Sequence, residues 1–167
     1  MYLAVDVQYT DQTALVAGVI FDGWEDCRPR EEIKLIVPDI QDYEPGNFYK
    51  RELPCILSLI KEYSLQPSVI VIDGYVFLDG VSKTGLGKHL HDVLDGRIPV
   101  ISVAKSRFKD IPPECEVFRG ESNRPLFVTA AGMSLNDAKE NIKFMHGQYR
   151  IPDLLKIADQ LCRQIRK

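Results

Sequence analysis

Two apolar-rich runs open the chain. Residues 2–9 and 13–21 read as β-strands, joined through Thr10-Asp11-Gln12 in a hairpin-like connection. Residues 32–37, Glu-Ile-Lys-Leu-Ile-Val, alternate polar and apolar, the pattern of a third, more exposed strand. Three consecutive strands with short links predict an antiparallel meander. A loop over 38–47 carries Pro38, Pro45 and Gly46, and 49–64 has the periodicity of an amphipathic helix. Val69 to Ile72 is continuously apolar, the pattern of a strand buried on both faces of a parallel arrangement. A helix over 85–94 and another buried strand over 98–103 follow. Short strands are predicted at 115–119 and 126–129 around a Gly120–Pro125 turn. Helices close the chain at 134–146 and 152–166, the second with Pro152 near its first turn.

A meander followed by helix–strand–helix–strand is the order of an α/β, ribonuclease H-like fold. Its mixed sheet combines the antiparallel three-strand meander with parallel strands and is flanked by helices. In that architecture the first strand is central and the fourth lies beside it, parallel. At 167 residues the chain is expected to form one domain, 1–167, large enough for a sizeable core.

Composition narrows the class without choosing a function. A hydrophobic content of 45% and a charged content of 27% are ordinary for a globular protein. The N-terminus shows no basic segment leading into an apolar stretch, and no apolar run is long enough to span a bilayer. We therefore expect a cytoplasmic protein with no membrane partner. Cys27, Cys55, Cys115 and Cys162 have neither zinc-type spacing nor a disulfide framework, and read as idle thiols. The net charge of −3, from 24 acids and 21 bases, does not advertise nucleic acid. The distribution is more permissive: Lys83, Lys88, His89, His91, Arg97, Lys105, Arg107 and Lys109 share one stretch with few acids.

The chemistry lies in three carboxylates placed where folding gains nothing from them. Asp6 interrupts Leu3-Ala4-Val5-Asp6-Val7, Asp73 ends Val69-Ile70-Val71-Ile72-Asp73, and Glu52 precedes an apolar helical run. A buried carboxylate costs several kcal/mol unless a cation or hydrogen bonds compensate it. Asp73 before Gly74 also suits a turn cap, and Asp6 a bond to a neighbouring loop. If the three converge, a hard divalent ion with oxygen ligands is the natural compensation. That fold would bring Asp6 and Asp73 together, as neighbours across adjacent strands.

Several segments resemble the endonuclease V family, in order along almost the whole chain. They are Ala4-Val5-Asp6-Val7-Gln8-Tyr9, and Tyr43-Glu44-Pro45-Gly46 running on to Arg51-Glu52-Leu53-Pro54, the most specific match. Val71-Ile72-Asp73-Gly74, Gly85-Leu86-Gly87-Lys88-His89-Leu90, and Ile98 through Ser106 come next, and Arg124 to Thr129 and Tyr149-Arg150-Ile151-Pro152 are weaker late matches. The resemblance implies a Mg²⁺- or Mn²⁺-dependent endonuclease, expected as a monomer, that hydrolyses a phosphodiester in DNA or RNA near a deaminated purine such as inosine. Asp6 and Asp73 would be metal ligands, Glu52 an acid of the metal shell, and Lys105 a cation beside the scissile phosphate. Tyr43 would be the ring inserted at the lesion, with Pro45, Gly46, Gly74, Lys88 and His89 on the substrate side. Taken by itself, His89 suits a structural bond to a backbone carbonyl.

The chain departs from the family at a functional position. The family places a His six residues after the strand Asp, where this chain has Asp79. Asp79 is either an additional metal ligand or a loop residue on a site that has lost its proton donor. Tyr75 and Phe77 also replace small or polar residues of the family pattern. The alternative reading is accordingly a nucleic-acid binding module of the same fold with weakened catalysis.

Overall fold

A computed structural model describes residues 1–40, 42, 44–45 and 49–164. The first strands follow the apolar runs: β1 (Tyr2–Thr10), β2 (Thr13–Phe21) and β3 (Glu31–Val37) form the antiparallel meander. Helix α1 (Tyr49–Glu62) leads to β4 (Val69–Asp73), and α2 (Leu86–Val93) to β5 (Val100–Ala104). Strands β6 (Glu116–Val117) and β7 (Leu126–Ala131) precede α3 (Leu135–Phe144) and α4 (Asp153–Cys162). The seven strands lie in the order β3-β2-β1-β4-β5-β7-β6. Strand β1 is central, with β2 antiparallel on one side and β4 parallel on the other. This is the mixed sheet of a ribonuclease H-like fold.

The strand predicted at 115–119 shortens to Glu116–Val117 behind a 3-10 turn at Pro113–Cys115. Its end is diverted because Arg119 turns its guanidinium inward, onto the carbonyls of Tyr149, Arg150 and Gly147 at 2.6–3.2 Å. Among the described residues no helix is long and apolar enough to cross a membrane.

Strand alternation sorts the core into two layers. Leu3, Val5, Ile70 and Ile72 face Ile56 and Leu59 of α1 and Leu90 of α2. Ala4, Val71, Ile101 and Val103 face Ala138 and Ile142 of α3 and Leu154 and Ala158 of α4. Helix α2 sits close to β5 because residue 87 is glycine: a Cβ there would fall 2.5 Å from Ser102 Oγ and 2.6 Å from Val76 Cγ2. Asp6, Asp73 and Lys105 each stand two residues beyond Ala4, Val71 and Val103, so they share the parity of the α3/α4 layer and lie just past its apolar end.

Candidate metal centre at the strand ends

Strand register puts the first two acids together. Val5 pairs with Ile72 across β1 and β4, so the next step along both parallel strands sets Asp6 beside Asp73. Adjacent strands run about 4.8 Å apart. Asp73 in turn pairs with Val103 of β5, two residues before Lys105. Connectivity supplies Glu52. Because β4 runs parallel to β1, α1 must descend from the edge where β1 ends to the edge where β4 begins. Its first turn, carrying Glu52, therefore stands at the carboxyl end of the parallel strands. That edge is the usual place for sites in sheets of this kind.

The electrostatics agree with this placement. Asp6 is pushed up to about 7, first by desolvation and then by the charge of Asp73, although the Val7 amide donates to its Oδ1 at 2.9 Å. Glu52 is pushed up to about 8 by burial and then by Asp73 and Asp6, with Arg51 opposing. Asp73 is exposed, yet desolvation of its carboxyl still raises it; Lys105 opposes this and Asp159 adds to it. Asp73 thus raises both Asp6 and Glu52, and Asp6 raises Glu52, which marks negative charge without sufficient positive compensation. A pocket lined by Asp6, Asp73, Lys105, Ile151, Pro152 and Leu155 opens at this point.

A fourth acid enters from α4. Ligand atoms of Asp6, Asp159 and Cys162 all lie within 4.8 Å of one another. Asp159 also receives Arg163 Nε at 2.9 Å and stands 4.0 Å from Lys105 Nζ. Sequence reasoning missed Asp159, although its signal matches that of Asp6. It follows Leu155 by four residues and precedes buried Cys162 by three, which puts an acid on the apolar stripe of a helix.

The remaining candidates divide. Asp79 uses its carboxylate locally: Oδ1 accepts from the amides of Val81, Ser82 and Lys83 at 3.0, 2.7 and 2.8 Å, and Oδ2 accepts from the Ser82 hydroxyl at 2.7 Å. These bonds hold its pKa well below the usual carboxylate range. Asp79 is therefore a loop cap in this structure, with Oδ1 fully engaged and Oδ2 accepting one bond. Lys88 forms an i,i+4 pair with Asp92 at 2.6 Å. His89 stacks its ring on Tyr49 at 3.7 Å, and the carbonyl bond expected of it is made by His91, whose Nδ1 lies 2.8 Å from Ile98 O. Gly74 adopts φ +108°, a left-handed value that favours glycine, with nothing within 4 Å of a Cβ position. Pro45 is exposed in a turn, while Tyr43 and Gly46 lie outside the described residues. Tyr75 braces the far side: its hydroxyl donates to Ser106 O at 2.6 Å and accepts from the Phe108 amide at 3.0 Å, just after Lys105. Arg150 ties down the same segment by donating to Lys105 O and, at 2.8 Å, to Pro125 O.

A ribonuclease H-like sheet with clustered acids at the ends of its two central parallel strands defines a class of protein. Residues 1–120 match the sequence model of the family Endonuclease V. Endonuclease V of Streptomyces coelicolor is 28% identical over 184 aligned residues, spanning 95% of this chain and 76% of that protein. The crystal structure of endonuclease V from Streptomyces avermitilis superposes with a TM-score of 0.78 at 27% identity, covering 98% of this chain and 79% of that one. Ciona intestinalis endonuclease V, crystallised with a 24-mer DNA containing an inosine followed by a ribo-adenosine, gives a TM-score of 0.79 at 20% identity, over 98% and 84% of the two chains. The chain belongs to the endonuclease V family.

Proposed function

We propose that this chain is a Mg²⁺- or Mn²⁺-dependent endonuclease that hydrolyses a phosphodiester in DNA or RNA near a deaminated purine, with inosine as the lesion. The observation that carries the reading is the cluster at the strand ends: burial drives the pKa values of Asp6, Glu52 and Asp73 upward, and Asp159 and Cys162 bring ligand atoms within 4.8 Å of Asp6. The carboxylates of this cluster fit a hard divalent cation, for which the neighbouring Cys162 thiol is a poor ligand. Asp6, Asp73 and Asp159 would hold it, with Glu52 in its shell, and Asp79 stays outside as the cap of its own loop. The ion would supply Lewis acidity and charge neutralisation at the phosphoryl group.

The protein's own groups do the rest. Lys105, 41% exposed at its side chain, adds a positive charge beside Asp73 and Asp159, where a non-bridging phosphate oxygen would gain charge in the transition state. The braces at Tyr75 and Arg150 fix its own carbonyl and the backbone that follows it. Tyr43 remains the ring proposed to support an extruded base, as the family pattern implies.

The competing reading, a binding module without turnover, is favoured by one observation. Position 79 is a loop cap where the family has an imidazole, and His89 is engaged in stacking. One assay separates the two. Labelled single- and double-stranded DNA and RNA, each with one inosine and an undamaged control, are incubated with Mg²⁺ or Mn²⁺. Asp6→Ala and Asp73→Ala proteins run in parallel. Cleavage near inosine that both substitutions abolish is the expected result. Folded protein that binds these strands and cuts none of them refutes the enzyme.

A further inference from the structure

Immediately after Asp73-Gly74 the chain makes a rigid finger whose tip is apolar. Phe77 and Thr84 form a β-bridge, and the Leu78 amide donates to Lys83 O at 2.7 Å. Inside this hairpin, Asp79 takes three successive amides and one hydroxyl. Gly80, at φ +82°, packs against the body of the protein: a Cβ would fall 2.8 Å from Pro112 Cδ and 3.2 Å from Cys115 Sγ. The tip residue is nevertheless Val81, 74% exposed. Single exposed apolar residues are ordinary, but this one has company. Lys83 Nζ stands 5.9 Å from the ring centroid of Phe108, itself 37% exposed. Phe108 comes three residues after Lys105, so the two are at most about 10 Å apart along the backbone, roughly three nucleotides of a duplex strand.

The charge around the tip suits a polyanion. Lys83 stands beside Phe108, Lys105 and Lys109 flank it in sequence, Arg107 is paired with Glu116, and Asp79 accepts from three amides, which leaves Asp110 and Glu114 as the other acids of 105–116. Holding an apolar tip rigid before contact lowers the ordering cost of binding.

We propose that the finger 77–84 is a second substrate contact, in which Val81 and Phe108 pack against bases or sugars of the nucleic-acid strand beside the scissile phosphate, Lys83 meets a phosphate, and Asp79 is the positioning residue that holds the tip. This rests on the nuclease reading for its occupant and adds to it an apolar contact distinct from Tyr43. It also gives Asp79 a role that requires no metal.

The test uses the whole protein and an inosine-containing oligonucleotide, with binding followed by fluorescence anisotropy in Ca²⁺ and cleavage in Mg²⁺. Val81→Ser is expected to raise Kd and KM about fivefold, the value of partly burying one valine, with the loss in KM and not in kcat. Asp79→Ala gives the same pattern. Asp79→Asn recovers binding, because its amide oxygen can still accept from the three backbone N–H groups. The Mn²⁺ concentration for half-maximal activity does not move in either Asp79 variant. Ile36→Ser, a control on the edge strand β3 at a residue 67% exposed, leaves Kd unchanged. Unchanged Kd in both Val81→Ser and Asp79→Ala overturns the proposal, as does an Asp79→Asn protein that loses its metal response. Wild-type protein that binds no inosine strand would refute the nuclease reading instead.

Discussion

Asp6→Asn should stabilise the chelated protein, and the gain should depend on pH. Asp6 is displaced from 3.8 to about 7, about three pH units, which corresponds to about 4 kcal/mol at 1.4 kcal/mol per unit. Partial solvent access and the sharing of one repulsion between Asp6 and its neighbours reduce this to about 2 kcal/mol. The sign follows from proton counting. A carboxyl whose pKa is raised in the folded state binds more protons folded than unfolded, so stability falls as pH rises from its unfolded to its folded value. For Asp6 that window is 3.8 to about 7, and for Glu52 it is 4.5 to about 8. At pH 8 the Asp6 penalty is present in full; at pH 5 only about a third of it has accrued.

The asparagine is isosteric and can keep the bond from the Val7 amide. Thermal unfolding in EDTA should therefore show Asp6→Asn above wild type by about 4–8 °C at pH 8, and by about a third of that at pH 5. Saturating Mn²⁺ should reverse the order, because the wild type gains the binding free energy and the variant loses most of it. A concentration one hundred times Kd is worth about 2.7 kcal/mol, or about 5–11 °C. A variant that is less stable than wild type in EDTA at both pH values would refute the reasoning, since Asp6 would then be a net stabilising group.

Three further outcomes can be checked independently. Asp159→Ala should abolish cleavage as completely as Asp73→Ala and raise the Mn²⁺ requirement, read by titrating activity and by metal-induced Tm shift. Lys105→Ala should lower kcat by about 10², with little change in Tm, in single-turnover cleavage of an inosine substrate. Arg119→Ala should cost at least about 3 kcal/mol, a fall in Tm of roughly 6–12 °C, because the carbonyls of Gly147, Tyr149 and Arg150 lose a buried charged donor; chemical denaturation measures it directly.

Asp6 and Asp73 were legible because strand periodicity is short and strict. An acid in an apolar strand leaves few alternatives, and parallel pairing of the first and fourth strands then fixes their separation. Glu52 needed one more step, the direction in which α1 must run between β3 and β4, and the topology supplies it. Asp159 obeyed the same logic on a helix, yet a 3.6-residue period spreads an apolar stripe over many positions. One acid on that stripe reads locally as an ordinary polar residue among Lys156, Asp159, Gln160 and Arg163. Its meaning appears only when α4 crosses β1 and β2, a packing that no local pattern encodes.

Position 79 shows the converse. As an acid six residues after a strand carboxylate it suggested a ligand, and its chemistry allows that. What decided its place is a competition within five residues of chain: three amides and a hydroxyl are close enough to satisfy both oxygens, and a carboxylate already satisfied gains little by joining a crowd of like charges. The burial of Asp6 and Glu52, with their raised pKa values, and the saturation of Asp79, with its lowered one, are the same physics with opposite sign. That contrast separates carboxylates buried without enough donors from one that has already found its own.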